Sequence, residues 1–164
     1  MPIRDAFISE LRYETGLTRK MLERVPLEKK DWKPHEKSMT LGRLSTHIAE
    51  IPQWITRIAT IGDFDFAVHR FDPHTANSRE ELLQIFDESV EGANRHLQKM
   101  EDDAFQEPWV VRFGETVRFN APRKVAIRGW ALSHLIHHRG QLSVYLRLLD
   151  LPVPGMYGPS ADER

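Results

Sequence analysis

Apolar residues recur at three- and four-residue steps along four long stretches of the chain, and each stretch predicts an amphipathic helix. In Asp5–Val25 the inward face is Phe7, Leu11, Thr18, Leu22 and Val25, and Pro26 stops the run. After a polar connection containing Trp32 and Pro34, Thr40 is placed to cap a second helix, Leu41–Ile61, with the face Leu44, Ile51, Trp54, Ile55 and Ile58. Pro52 lies inside that helix and removes the donor that would reach the Ile48 carbonyl, which predicts a kink. Ser78 and Glu81 make a capping box for a third helix, Arg79–Met100, facing inward with Leu82, Phe86, Ala93, Leu97 and Met100. A fourth helix starts at Pro122, a favoured first-turn residue, and runs to about Asp150.

The segments between these helices carry other patterns. Gly62–Asn77 is long enough to be a crossover or a lid. Trp109, Val111 and Phe113, then Gly114-Glu115, then Val117 and Phe119 alternate as a small β-hairpin does. The tail, 151–164, is rich in proline and glycine and is expected to be extended and ordered by packing. The expected fold is therefore all-α: one four-helix-bundle domain over 1–164, with long loops and a small hairpin between helices three and four. The two long connections, Pro26–Met39 and Gly62–Asn77, admit parallel neighbours as well as a simple up-down order.

The fourth helix breaks its own pattern. Trp130–Leu149 carries three histidines within five residues. With His134 at zero and about 100° per residue, Ile127, Ala131, His138, Gln141, Leu142, Tyr145 and Leu149 fall within roughly 80° of it. His134 and His138 therefore lie mid-stripe, one turn apart, at metal-ligand spacing. His137 falls at the stripe's edge and is expected to be exposed or to sit behind the ligands. On the second helix, His47 occupies the middle of the apolar face, one turn from Leu44 and from Ile51. His35, His69, His74 and His96 lie in loops or on polar flanks and need no special role.

Composition narrows the chemistry. The chain has 164 residues and a net charge of −1, which supplies no basic surface for nucleic acid. No apolar run approaches a membrane span, and the first residues do not read as a signal peptide, so a cytoplasmic protein without membrane contact is expected. There is no cysteine, so any metal is held by His, Asp or Glu, and any thiol arrives with a substrate. Three inward histidines without a fourth protein ligand leave coordination positions open, which suits a catalytic metal site. Zinc is the first expectation, with nickel, iron or manganese also compatible with imidazole ligands. Such an ion polarises water or holds a thiolate. Gln141 and Tyr145, on the same stripe, are candidates for orienting a small-molecule substrate, and Glu50 for acting beside His47.

Behind the histidines, Gly129, Leu132, Ser133, Ile136, Gly140, Ser143 and Val144 form a stripe of small and apolar residues. Each glycine costs a helix interior about 1 kcal/mol relative to alanine, so a second backbone is expected against this stripe. A two-fold homodimer is the expected occupant, with the tail or the hairpin as the alternative cover.

Two stretches carry a resemblance that spans nearly the whole chain. They are ERVPLEKKDWKPHEKSMTLGRLSTHIAEIPQW, with His47, and HLIHHRGQLSVYLRLLDLPVPGMYGPSADE, with His134 and His138. The chain resembles the DinB-like (damage-inducible) superfamily of metal-binding four-helix bundles. That resemblance implies a divalent-metal site on His47, His134 and His138, often in a dimer. It also implies, where relatives are active, transfer or isomerisation with low-molecular-weight thiols such as bacillithiol or mycothiol. A hydrolase using metal-activated water and a non-catalytic metal-binding stress-response protein are the alternatives.

Overall fold

The computed structural model describes residues 2–69 and 73–163. Six α-helical segments form the body: α1 (Ile3–Leu22), α2 (Leu41–Glu50), α3 (Gln53–Thr60), α4 (Arg79–Leu97), α5 (Arg123–Ala126) and α6 (His134–Leu148). A π-helical stretch, Ile127–Ser133, joins α5 to α6, so the expected fourth helix is continuous but widened near its start. The expected second helix is α2 plus α3, interrupted at Ile51–Pro52 where proline has no N–H to give. α1 begins two residues earlier than the periodicity suggests, because the Asp102 carboxylate accepts the Ile3 N–H at 2.8 Å. It ends at Leu22, although Val25 remains fully buried.

Two apolar clusters order the helices. One gathers Phe7 and Leu11 of α1, Trp54 to Ile58 of α3, Ala93 and Leu97 of α4, and Ala126 to Leu132. The other gathers Met21 and Leu22 of α1, Leu41 to Ala49 of α2, Leu82 and Phe86 of α4, and Leu135 to Leu146 of α6. α1 and α6 thus run from the first cluster to the second, whereas α2–α3 and α4 run the opposite way. α1 packs on α4 and α6, and α2 packs on α4 and α6. Neighbours α1 and α6 are therefore parallel, as are α2–α3 and α4, and Gly62–Asn77 serves as the crossover, whereas Pro26–Met39 links two antiparallel helices at one end of the bundle.

The expected hairpin is present as β2 (Pro108–Phe113) and β3 (Thr116–Pro122), antiparallel and turning at Gly114, whose φ of 58° suits glycine. Gly62–Asn77 adds what periodicity did not reveal, a third strand, β1 (Asp63–Asp65), pairing parallel with β2. Part of that connection, 70–72, lies outside the described residues, and so does any lid role for it. The sheet closes one end of the bundle through Phe64, Trp109 and Val111, which join the first cluster. The tail is extended and held: Asp162 accepts from the Val153 N–H at 2.9 Å and pairs with Arg147. Among the described residues, no helix is long and apolar enough to cross a membrane.

Candidate metal centre

α2 and α6 bring His47, His134 and His138 together at the level of the second apolar cluster. α2 is set by its N-cap, where the Thr40 hydroxyl accepts the Arg43 N–H at 3.2 Å. On α6 the two histidines are one turn apart and meet His47 of α2, and Leu135 and Leu142 of the same helix are both buried. The Nε2 atoms of His47 and His134 are 3.3 Å apart, and those of His134 and His138 are 2.9 Å apart. Among the described residues these three are the one group of three or more candidate ligands whose donor atoms all lie within 4.8 Å of one another.

The bonds behind the ligands settle which nitrogens face inward. His134 Nδ1 lies 3.3 Å from the Trp130 carbonyl oxygen, which can only accept, so this nitrogen carries the proton. His134's own backbone N–H is directed to the Ala131 carbonyl as the π-helical stretch ends. His138 Nδ1 donates to Gln141 Oε1 at 2.7 Å. In the neutral rings both Nε2 atoms are then bare lone pairs, facing each other at 2.9 Å with no proton between them.

A proton is a poor answer to that repulsion. Burial, followed by the neighbouring His138, His134 and Arg43, pushes the His47 imidazole down to about 3. Burial likewise lowers the values of His134 and His138. A divalent cation is the better answer. Ligands about 2.0–2.1 Å from a tetrahedral ion sit roughly 3.3 Å from each other, close to the spacings here. Each ligand whose outer nitrogen is satisfied donates it to a carbonyl-type oxygen, as metal-bound histidines do. The three residues fit a divalent ion.

The remaining candidates have defined partners. Gln141 faces His138 Nδ1 as its acceptor, a bond to the ligand itself. Tyr145 donates its hydroxyl to the Met39 carbonyl at 3.1 Å and sets its ring edge-on to Trp32. Glu50 is ion-paired with Arg43 at 2.6 Å, and Arg43 also donates to the His74 carbonyl. His137 is exposed and touches His138 ring to edge. His35, His69, His74 and His96 stand outside the cluster. His74, for example, bonds Glu81 at 2.7 Å.

The stripe behind the histidines is only partly covered. Leu132 is buried and Ile136 and Ser143 half-buried, whereas Gly129, Ser133, Gly140 and Val144 are exposed. The tail borders it at one place, where Val153 lines a shallow groove with Ser143 and Val144. The second fully buried side of α6 is instead Leu135, Arg139, Leu142 and Leu146, turned towards α1. Sequence reasoning passed over two contributors, Trp130 and Arg139. The signal for Arg139 was its place in the leucine spacing, four residues after Leu135 and three before Leu142.

Known proteins agree with this architecture. The chain is 23% identical over 159 residues to the uncharacterized protein YrdA of Bacillus subtilis, covering 97% of this chain and 90% of that protein. A DinB-like protein from Bacillus cereus superposes with a TM-score of 0.73 at 23% identity, over 93% of this chain and 97% of that one. The DinB-like protein YjoA of Bacillus subtilis superposes with a TM-score of 0.69 at 18% identity, over 93% and 98%. The family model described as the DinB family matches residues 3–164. With the bundle, the crossover and the histidine cluster in one chain, this protein belongs to the DinB family.

Proposed function

We propose that the protein is a divalent-metal-dependent enzyme that transfers or rearranges a thiol on small electrophiles, with His47, His134 and His138 as the ligands. The convergence of three Nε2 atoms, those of His134 and His138 bare, carries this reading, because a three-donor set leaves open positions for a substrate. The ion, zinc by first expectation, would hold a thiolate and keep it nucleophilic at neutral pH.

The chain's own residues prepare that site. Burial keeps the three imidazoles neutral and so available as donors. Gln141 and the Trp130 carbonyl hold His138 and His134 in the required tautomer and orientation. Tyr145 and Glu50 act by bracing their surroundings, through Met39 and Arg43 respectively. The chain has no cysteine, so the thiol arrives as a low-molecular-weight cosubstrate. The setting is the cytoplasm, and the assembly is a homodimer through the outer stripe of α6. A Cβ added at Gly129 or Gly140 would meet nothing within 4 Å, so this chain's own packing does not require those glycines.

The discriminating assay incubates zinc-loaded protein with monochlorobimane and bacillithiol or mycothiol, and in parallel with a nitrophenyl ester and no thiol. Thiol-dependent consumption of the bimane, abolished in His138→Ala, is expected. Ester hydrolysis without thiol, equally sensitive to His138→Ala, would replace this reading with a hydrolase. Ile136→Arg, followed by light scattering, is expected to reduce the mass to that of one chain.

A further inference from the structure

The α1–α6 contact contains a charge where its neighbours are leucines. Leu135, Arg139, Leu142 and Leu146 form the stripe of α6 that meets α1, at 1%, 2%, 0% and 0% exposure. Arg139 is fully committed. It donates to the Glu14 carbonyl at 2.9 Å, to Thr18 Oγ1 at 3.1 Å, to Glu14 Oε2 at 2.6 Å and to the Tyr157 hydroxyl at 2.6 Å. Tyr157 in turn donates to Glu14 Oε2 at 2.8 Å. One carboxylate, one guanidinium and one phenol from α1, α6 and the tail thus close a ring of bonds.

A buried ion pair of this kind adds little net stability, since desolvating both charges offsets their attraction. Its physical effect is on alternatives. Leucines alone would let α6 turn or slide on α1 at small cost. With Arg139 in the stripe, any other register leaves a guanidinium and a carboxylate buried and unpaired, which strongly disfavours it. A single polar residue in an apolar helix seam fixes register in coiled coils by the same means.

We infer that Arg139, Glu14 and Tyr157 position the histidine triad, by fixing the rotation and register of α6 so that His134 and His138 meet His47. The inference rests on the metal reading above. Arg139 directly follows His138, about 100° around the same helix, so the setting of one is the setting of the other. A rotation of about 10° moves an imidazole nitrogen by roughly 1 Å, beyond the tolerance of about 0.5 Å that a functional constellation allows. Tyr157 makes the tail part of this device, and Asp162 anchors the tail through Arg147 and Val153.

The test separates positioning from stability. In Glu14→Leu/Arg139→Leu both charges are removed together, a change that often leaves the host of a buried ion pair equally or more stable. Zinc affinity by competition with a chelator, and the visible spectrum of the cobalt form, are compared with the melting temperature of the metal-free protein. The expected result is zinc binding weakened about tenfold or more, the scale of lost outer support for a ligand, with cobalt bands altered and melting unchanged or raised. Tyr157→Phe, which removes the two bonds of the phenol to Arg139 and Glu14 and keeps the ion pair, is expected to weaken zinc in the same direction by less. If the double variant does not fold, Tyr157→Phe decides. Zinc affinity within twofold of wild type, in whichever variant decides, overturns the inference. A wild type that binds no zinc overturns the metal reading instead.

Discussion

Gln141 Oε1 and His138 Nδ1 are 2.7 Å apart, and that one contact decides which face of the His138 ring points into the bundle. With the Nδ1 proton held by the amide, Nε2 is left bare and directed at His134. The residue expected to orient a substrate has its amide oxygen against the His138 ring.

Gln141→Ala should therefore lower metal affinity without harming the fold. Gln141 is exposed, so little packing is lost. Loss of an outer partner to a metal-bound histidine costs about 10–100-fold in affinity. Competition titration with a chelator should show that loss beside an unchanged melting temperature for the metal-free protein. Equal affinity in the two proteins would show that the amide does not hold the ring.

The histidines give the metal-free protein a definite pH dependence. His47 takes up a proton in the unfolded chain at its ordinary value of 6.5, but in the fold only at about 3. The folded form favours the neutral ring, so the stability it brings is present above 6.5 and is lost as pH falls towards about 3. His134 and His138 act in the same direction. Urea midpoints measured with chelator at pH 7.5 and at pH 5 should fall for wild type and fall less for His47→Gln. An equal fall in both would contradict the burial of a neutral His47.

Leu142 belongs to the second cluster and has no exposed surface, and its loss should be felt by the fold first. Leu142→Ala is expected to destabilise by about 2–5 kcal/mol, seen as a lower urea midpoint with an unchanged slope. A loss under 1 kcal/mol would mean that the second cluster closes over the gap.

The helix-capping reading gives a smaller effect. Ser78 Oγ accepts the Glu81 N–H at 3.1 Å, as the capping box requires. The Glu81 carboxylate reaches one residue further back than that motif does, to the Asn77 N–H at 2.7 Å, and also holds His74. Ser78→Ala should cost about 1 kcal/mol by thermal or urea unfolding.

What was legible in the sequence was whatever depends on local periodicity. The helices, the Pro52 break, the Ser78 cap and the inward placement of His47, His134 and His138 all follow from which residues share a helical face. What was not legible depends on distant partners or on departures from the regular repeat. β1 is three residues long and exists because Val110, Val111 and Arg112 pair with it. The early start of α1 needs Asp102, far along the chain. The π-helical stretch violates the constant angle on which a helical wheel is drawn, yet His134 and His138 lie beyond it and keep their relation. The burial of Arg139 could not be read from its own helix alone, because a guanidinium is buried only where a distant partner meets it. Only Glu14, brought up by α1, explains its burial.

The central claim is that His47, His134 and His138 hold a divalent ion. Metal analysis of untagged protein, wild type beside His138→Ala, tests it most directly. About one equivalent of divalent metal per wild-type chain and a large loss in the variant are predicted. Equal metal content in the two proteins would contradict the account.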